Sequence, residues 1–163
     1  ISSKLKQPIN REIEKMARLH QIGLLLLASC VSSAVWALEY RSILSDRTVM
    51  YDTPSLRGKK LYLASRYYPV EVIVSLEHFA KVRDAAGDLA WVEKKQLGEK
   101  RMVLVNVPLA DVRQAADENA ALVFQAERNV VLELLEFTRA GWLKVRHPDG
   151  TSGFVRISQV WGA

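Results

Sequence analysis

Cysteine is all but missing from this chain: Cys30 is the only one in 163 residues. An internal disulfide is thereby excluded. Histidine is almost as scarce, and once residues 1–37 are set aside as a leader only His78 and His147 remain. Both stand in loop positions beside expected strands, at non-equivalent places in the chain's repeat and without metal-like spacing to carboxylates, so no metal site is expected. Ser152 and Asp149 lie near His147 only as turn residues, and nearness in sequence does not make a triad. With neither nucleophile nor acid/base pair nor metal cluster in view, the expectation is a protein with no catalytic residues and no cofactor, that is, no enzyme. Long apolar runs are lacking too. Ile22–Ala28 is too short for a comfortable membrane span.

That run belongs to a segment unlike the rest. Met16-Ala-Arg18 leads into the apolar stretch, which gives way to small residues ending at Val35-Trp36-Ala37. A basic start, a short apolar centre and a small-residue end predict a helical signal peptide over 16–37 and an exported protein of the periplasm or cell envelope. Residues 1–15, ahead of Met16, read as an overextended N-terminus. Leu27-Ala28-Ser29-Cys30 also resembles a lipoprotein cleavage box, which would leave a lipid anchor at Cys30 in place of simple cleavage. Without residues 1–37, Lys+Arg falls from 23 to 18 and Asp+Glu from 18 to 16, so a net charge of +5 becomes +2. So balanced a chain offers no concentrated basic face, and nucleic acid is not an expected partner.

What the remainder holds is a repeat. Phe79-Ala-Lys-Val-Arg-Asp-Ala-Ala-Gly-Asp-Leu-Ala-Trp-Val92 and Trp142-Leu-Lys-Val-Arg-His-Pro-Asp-Gly-Thr-Ser-Gly-Phe-Val155 share one pattern. Upstream, Met50-Tyr51 aligns with Val112-Arg113 at an offset of 62, while the offset is 63 from Phe79 onward. One inserted residue near Thr138–Gly141 accounts for the drift, which predicts a loop there. Two units of this size are each marginal alone, since small domains bury only about 60% of their unfolded surface.

Alternation sets the local structure. Leu143 and Val145 fall on one face of a strand and Trp142, Lys144 and Arg146 on the other; Ala80 and Val82 stand likewise against Phe79, Lys81 and Arg83. Asp84-Ala-Ala-Gly87 and His147-Pro-Asp-Gly150 are hairpin turns, because glycine takes the positive φ that closes them. Turns centred there pair Lys81 with Trp91 and Lys144 with Phe154. Val70–Leu76 and Val130–Phe137 read as buried strands. The polar stretches after Tyr51 and Arg113 read as surface loops, with a helix over Ala115–Ala126 as the alternative. Five strands in some 50 residues predict an all-β protein of two small barrels, 47–98 and 106–161, joined near Gly98–Asn106, where an apolar strand-like run argues for a packed linker.

Gly141-Trp-Leu-Lys-Val-Arg146, Asp149-Gly150 and Gly153-Phe-Val155 closely resemble the signature of bacterial SH3 (SH3b) domains. The first copy departs from it with Phe79 for Trp, His78 for Gly and Ala90-Trp91-Val92 for Gly-Phe-Val. The resemblance implies tandem SH3-like barrels that bind peptidoglycan peptides or envelope proteins through a groove between the long loop and the hairpin region, with no catalytic domain in the chain. The candidate ligand residues are Tyr51, Tyr68, Phe79, Trp91, Trp142 and Phe154, the last four sharing a strand face with Lys and Arg. The alternative is that these aromatics pack a core, a domain seam or a dimer interface, which would make the protein a structural interaction module. Trp161 is expected at a barrel end or at the seam. Tyr51, Tyr67 and Tyr68 have no aromatic counterpart in the second copy, so the two barrels would not share one ligand.

Overall fold

The structure is a computed structural model and describes residues 38–163. The expected signal segment, the N-terminal extension and Cys30 lie outside the described residues. Two antiparallel sheets of seven strands each follow one another along the chain. The first holds β1 (Glu39–Ile43), β2 (Thr48–Tyr51), β3 (Lys60–Ala64), β4 (Pro69–Ser75), β5 (Phe79–Arg83), β6 (Leu89–Glu93) and β7 (Leu97–Gly98), in the order β3-β2-β6-β5-β4-β1-β7. The second holds β8 (Met102–Val105), β9 (Leu109–Arg113), β10 (Leu122–Glu127), β11 (Val131–Phe137), β12 (Trp142–Arg146), β13 (Ser152–Arg156) and β14 (Val160–Trp161), and repeats that order strand for strand.

Each sheet curls around its own apolar core. Ile43, Met50, Val70, Ala80, Val82, Ala90 and Val92 fill the first, and Val103, Val105, Val112, Leu132, Leu143, Val145 and Val155 the second. These are the inward halves of the alternating strands, and the barrels are the expected all-β pair. The hairpin registers are as expected, Lys81 opposite Trp91 and Lys144 opposite Phe154. The inserted residue also lies in a loop. Residues 138–141 join β11 to β12 where 76–78 join β4 to β5, and both Ala140 (φ 60°) and Gly141 (φ 76°) are left-handed.

Two strands per sheet exceed the expected five, one on each side of the first expected strand: β1 and β3 in the first sheet, β8 and β10 in the second. Glu39–Ile43 and Met102–Val105 lie ahead of the ranges 47–98 and 106–161, and each is the inner partner of a buried strand: β1 pairs with β4 and β7, β8 with β11 and β14. The strand-like run after Gly98 is therefore a core strand of the second barrel. Residues 115–126 form no helix, as Leu122 onward is already strand β10.

A seam joins the barrels. Tyr40 of β1 meets Trp161 edge to face at 5.3 Å, and Arg101 donates to the Gly162 carbonyl at 3.1 Å while its guanidinium lies 5.5 Å from the Tyr40 ring. Gly162 (φ 103°) lets the chain pass close to Pro69 and the Met102 carbonyl.

Candidate functional site

The outward residues of β2, β6 and β5 bring three of the candidate aromatics together. Tyr51 lies opposite Trp91 across the β2–β6 pairing, and its ring meets Phe79 edge to face at 6.3 Å. Lys81, opposite Trp91, places its ammonium 6.0 Å from the indole. Tyr51 is buried while Phe79 and Trp91 stay half-buried, so the cluster has a packed base and a wet edge. It forms because the period-two alternation that sends Met50, Ala80 and Val92 inward must send Tyr51, Phe79 and Trp91 outward.

Beside Phe79 opens a cleft of about 470 Å³. Leu56, from the loop between β2 and β3, borders it together with Phe79, Glu93 and Lys95. Leu56 is 60% exposed, an apolar side chain held in solvent at the mouth. The loop is shaped by its own bonds. Asp52 accepts from the Lys59 amide at 2.8 Å, and Gly58 sits where a Cβ would approach Thr53 Oγ1 to 2.5 Å. Glu93 pairs with Lys95 at 2.8 Å, and that carboxylate raises the Lys95 ammonium above its ordinary value.

The same place in the second barrel is shut. Arg156, opposite Trp142 in the β12–β13 register, lays its guanidinium 4.5 Å from the indole centroid. It donates to the Ala140 carbonyl and pairs with Glu118 of the long loop. Trp142 is left 4% exposed, outside the barrel's core cluster and roofed by an arginine. Phe154, half-buried, lies opposite Lys144 and Arg113. Arg113, the counterpart of Tyr51, is tied to Asp111 and to the Ala120 carbonyl.

Tyr68 stands apart from both groups. It packs against the first core near Tyr62, whose hydroxyl donates to Asp84 at 3.3 Å. Burial raises both phenols, and Asp84 adds to the effect on Tyr62. Sequence reasoning missed Leu56, Glu93 and the Glu118–Arg156 pair. The 63-residue offset does set Glu93 against Arg156, an opposite charge at one framework position, and that was the available signal.

Paired, highly curved seven-stranded sheets, each with a long loop overhanging an outer aromatic face, define a tandem small-barrel protein. The bacterial SH3 domain family model matches the chain twice, over residues 45–99 and 106–162, and the chain belongs to that family. No curated protein sequence matches it. Among solved structures, NlpC1 and NlpC2 from Trichomonas vaginalis are each 16% identical, with TM-scores of 0.33 and 0.34 over 79% and 78% of this chain and 47% and 49% of theirs. An NlpC/P60 family protein from Bacillus cereus is 18% identical, with a TM-score of 0.33 over 76% of this chain and 56% of its own. The chain thus spans about half the length of these structures. This corrects the expectation that the protein is no enzyme: these three structures are NlpC and NlpC/P60 proteins of which the chain spans about half, and that exclusion is withdrawn. Among the described residues, no helix is long and apolar enough to cross a membrane.

Proposed function

We propose that the barrel pair is an extracytoplasmic binding module of the bacterial cell envelope, taking peptidoglycan peptides in the cleft of the first barrel. The observation that carries this reading is the open cleft beside Phe79, an aromatic floor under an exposed loop leucine in a chain of the bacterial SH3 family. Tyr51 and Trp91 support the floor, and Phe79 supplies the wet aromatic surface on which a peptide can lie. Trp142 offers no open face, and Tyr68 serves another part of the barrel. The two barrels therefore divide their tasks, the first binding and the second supporting it through the seam.

Retention of the full chain on purified, insoluble peptidoglycan tests this. We expect Phe79→Ala to lower the retained fraction at least fivefold and Phe154→Ala to leave it within twofold. Retention no greater than that of an unrelated protein of similar charge would sink the cell-wall reading, as would equal losses from both variants.

A further inference from the structure

The outer aromatic faces of the two barrels differ in the charges set around them, and the difference shows what the open one lacks. In the second barrel three groups are stacked in order: the Trp142 ring, the Arg156 guanidinium 4.5 Å from its centroid, and the Glu118 carboxylate closing on the guanidinium from the loop. An aromatic face, a cation and a counter-carboxylate form a self-contained recognition unit, and here all three come from one chain.

In the first barrel the aromatic face is Phe79 and the carboxylate is Glu93, lying directly opposite Phe79 just as Arg156 lies opposite Trp142. The loop position matching Glu118 is Leu56, which places an apolar wall where the second barrel has its carboxylate. Among the described residues no cation lies over the Phe79 or Tyr51 ring: the cation contacts on the rings of this barrel are Lys81 with Trp91, Arg66 and Lys100 with Tyr67, and Arg101 with Tyr40. Glu93 has a companion in Lys95, whose side chain is 69% exposed while that of Glu93 is 23% exposed. A pair with so exposed a member is weakly held and can exchange its ammonium for another.

We propose that the first cleft binds its ligand through an alkylammonium side chain, laid against the Phe79 ring and paired with Glu93, and that Arg156 is the second barrel's built-in version of that group. The methylene stem of such a ligand would lie along Leu56. The ligand class is a peptide carrying a free terminal side-chain amine. This rests on the cleft being the binding site, but not on the ligand coming from peptidoglycan.

Titration of the full chain with acetyl-Gly-Lys-Gly-amide, its Nε-acetylated form and its norleucine analogue, followed by amide chemical shifts, tests the assignment. The lysine probe should bind at least tenfold more tightly than either neutral probe, with shifts centred on Phe79 and Glu93. Glu93→Gln should abolish that preference while leaving the spectrum folded, and Arg156→Ala should open a second lysine-selective site at Trp142. Equal affinity for the three probes, no binding of the lysine probe, a preference that survives Glu93→Gln, or no new site in Arg156→Ala would each overturn it. Peptidoglycan retention without lysine preference would defeat this inference alone. Lysine preference without retention would defeat only the cell-wall origin of the ligand.

Discussion

The first barrel keeps its outer aromatic face open to solvent, while the second covers the matching face with an arginine held by its own long loop. Beneath that difference the two are built alike. Glu71 opposite Arg83 and Glu133 opposite Arg146 form the same cross-strand ion pair at the same framework position, and the strand order is identical. Charge diverges at outward positions and in the long loop, whereas the matched inward positions stay apolar and differ only in volume, as packing at crystal-like density requires of a core. A duplicated barrel can therefore change what its surface recognises without changing how it folds.

The largest test of this shared frame is in the cores. Leu143 is 1% exposed, and its counterpart in the first barrel is Ala80, also 1% exposed. Equal frames thus hold unequal volumes at matched inward positions, and the neighbours must compensate. Leu143→Ala should cost about 2–5 kcal/mol in urea unfolding of the full chain, because the second core was assembled around the larger side chain. A cost below about 1 kcal/mol would mean that the second barrel collapses onto alanine as readily as the first, and the cores would then be interchangeable.

A smaller effect is expected where the hairpins differ. Gly153 of β13 matches Ala90 of β6, yet a Cβ on Gly153 would come within 2.6 Å of Val112 Cγ1 and 2.8 Å of the Arg113 carbonyl oxygen. In the first barrel the counterpart of Val112 is Met50, which is unbranched and adapts, whereas Val112 is stiff. Gly153→Ala should destabilise by roughly 2 kcal/mol through this overpacking, measured by thermal unfolding. If it is neutral, the tight approach of β9 to β13 is not what distinguishes the hairpins.

Much of the frame was legible in the sequence because it is local. The hairpins, their register and the loop insertion follow from alternation and from glycines at turn positions, and Trp161 lies at the seam, one of the two places expected for it. What escaped was long-range. Glu39–Ile43 and Met102–Val105 are short strands whose partners lie some 30 and some 55 residues away, and nothing in Glu-Tyr-Arg-Ser-Ile itself announces a central place in a sheet. The closure over Trp142 joins residues 38 apart through a stretch expected only as a surface loop, with a helix as the alternative, so the pair Glu118–Arg156 could not be read from spacing. The aromatic floor was legible as residue types on one strand face, but which barrel leaves it open was not.

The smallest effect separates the two ion pairs at the shared position. Glu71 is 4% exposed and takes both its side-chain hydrogen bonds from Arg83, at 2.9 and 2.6 Å. Glu133 is held by Arg146 and also by Lys100 at 3.1 Å. Arg83→Ala should then cost about 1–2 kcal/mol, the loss for a buried pair discounted because Arg83 is itself half exposed. Arg146→Ala should cost under about 1 kcal/mol, since Lys100 still compensates the carboxylate. The pH dependence checks the same arrangement. Burial acts to raise the Glu133 carboxyl, but hydrogen bonds from Arg146 and Lys100 outweigh it and hold it below its ordinary value of 4.5. A depressed carboxylate contributes stability that is fully present above the unfolded value and is lost as pH falls through the folded one. Acid titration of stability should therefore show a loss setting in below about pH 4.5 that is smaller in Glu133→Gln. Equal costs for the two arginine variants would mean that Lys100 adds nothing, and the second barrel's pair would be the twin of the first in energy as well as in position.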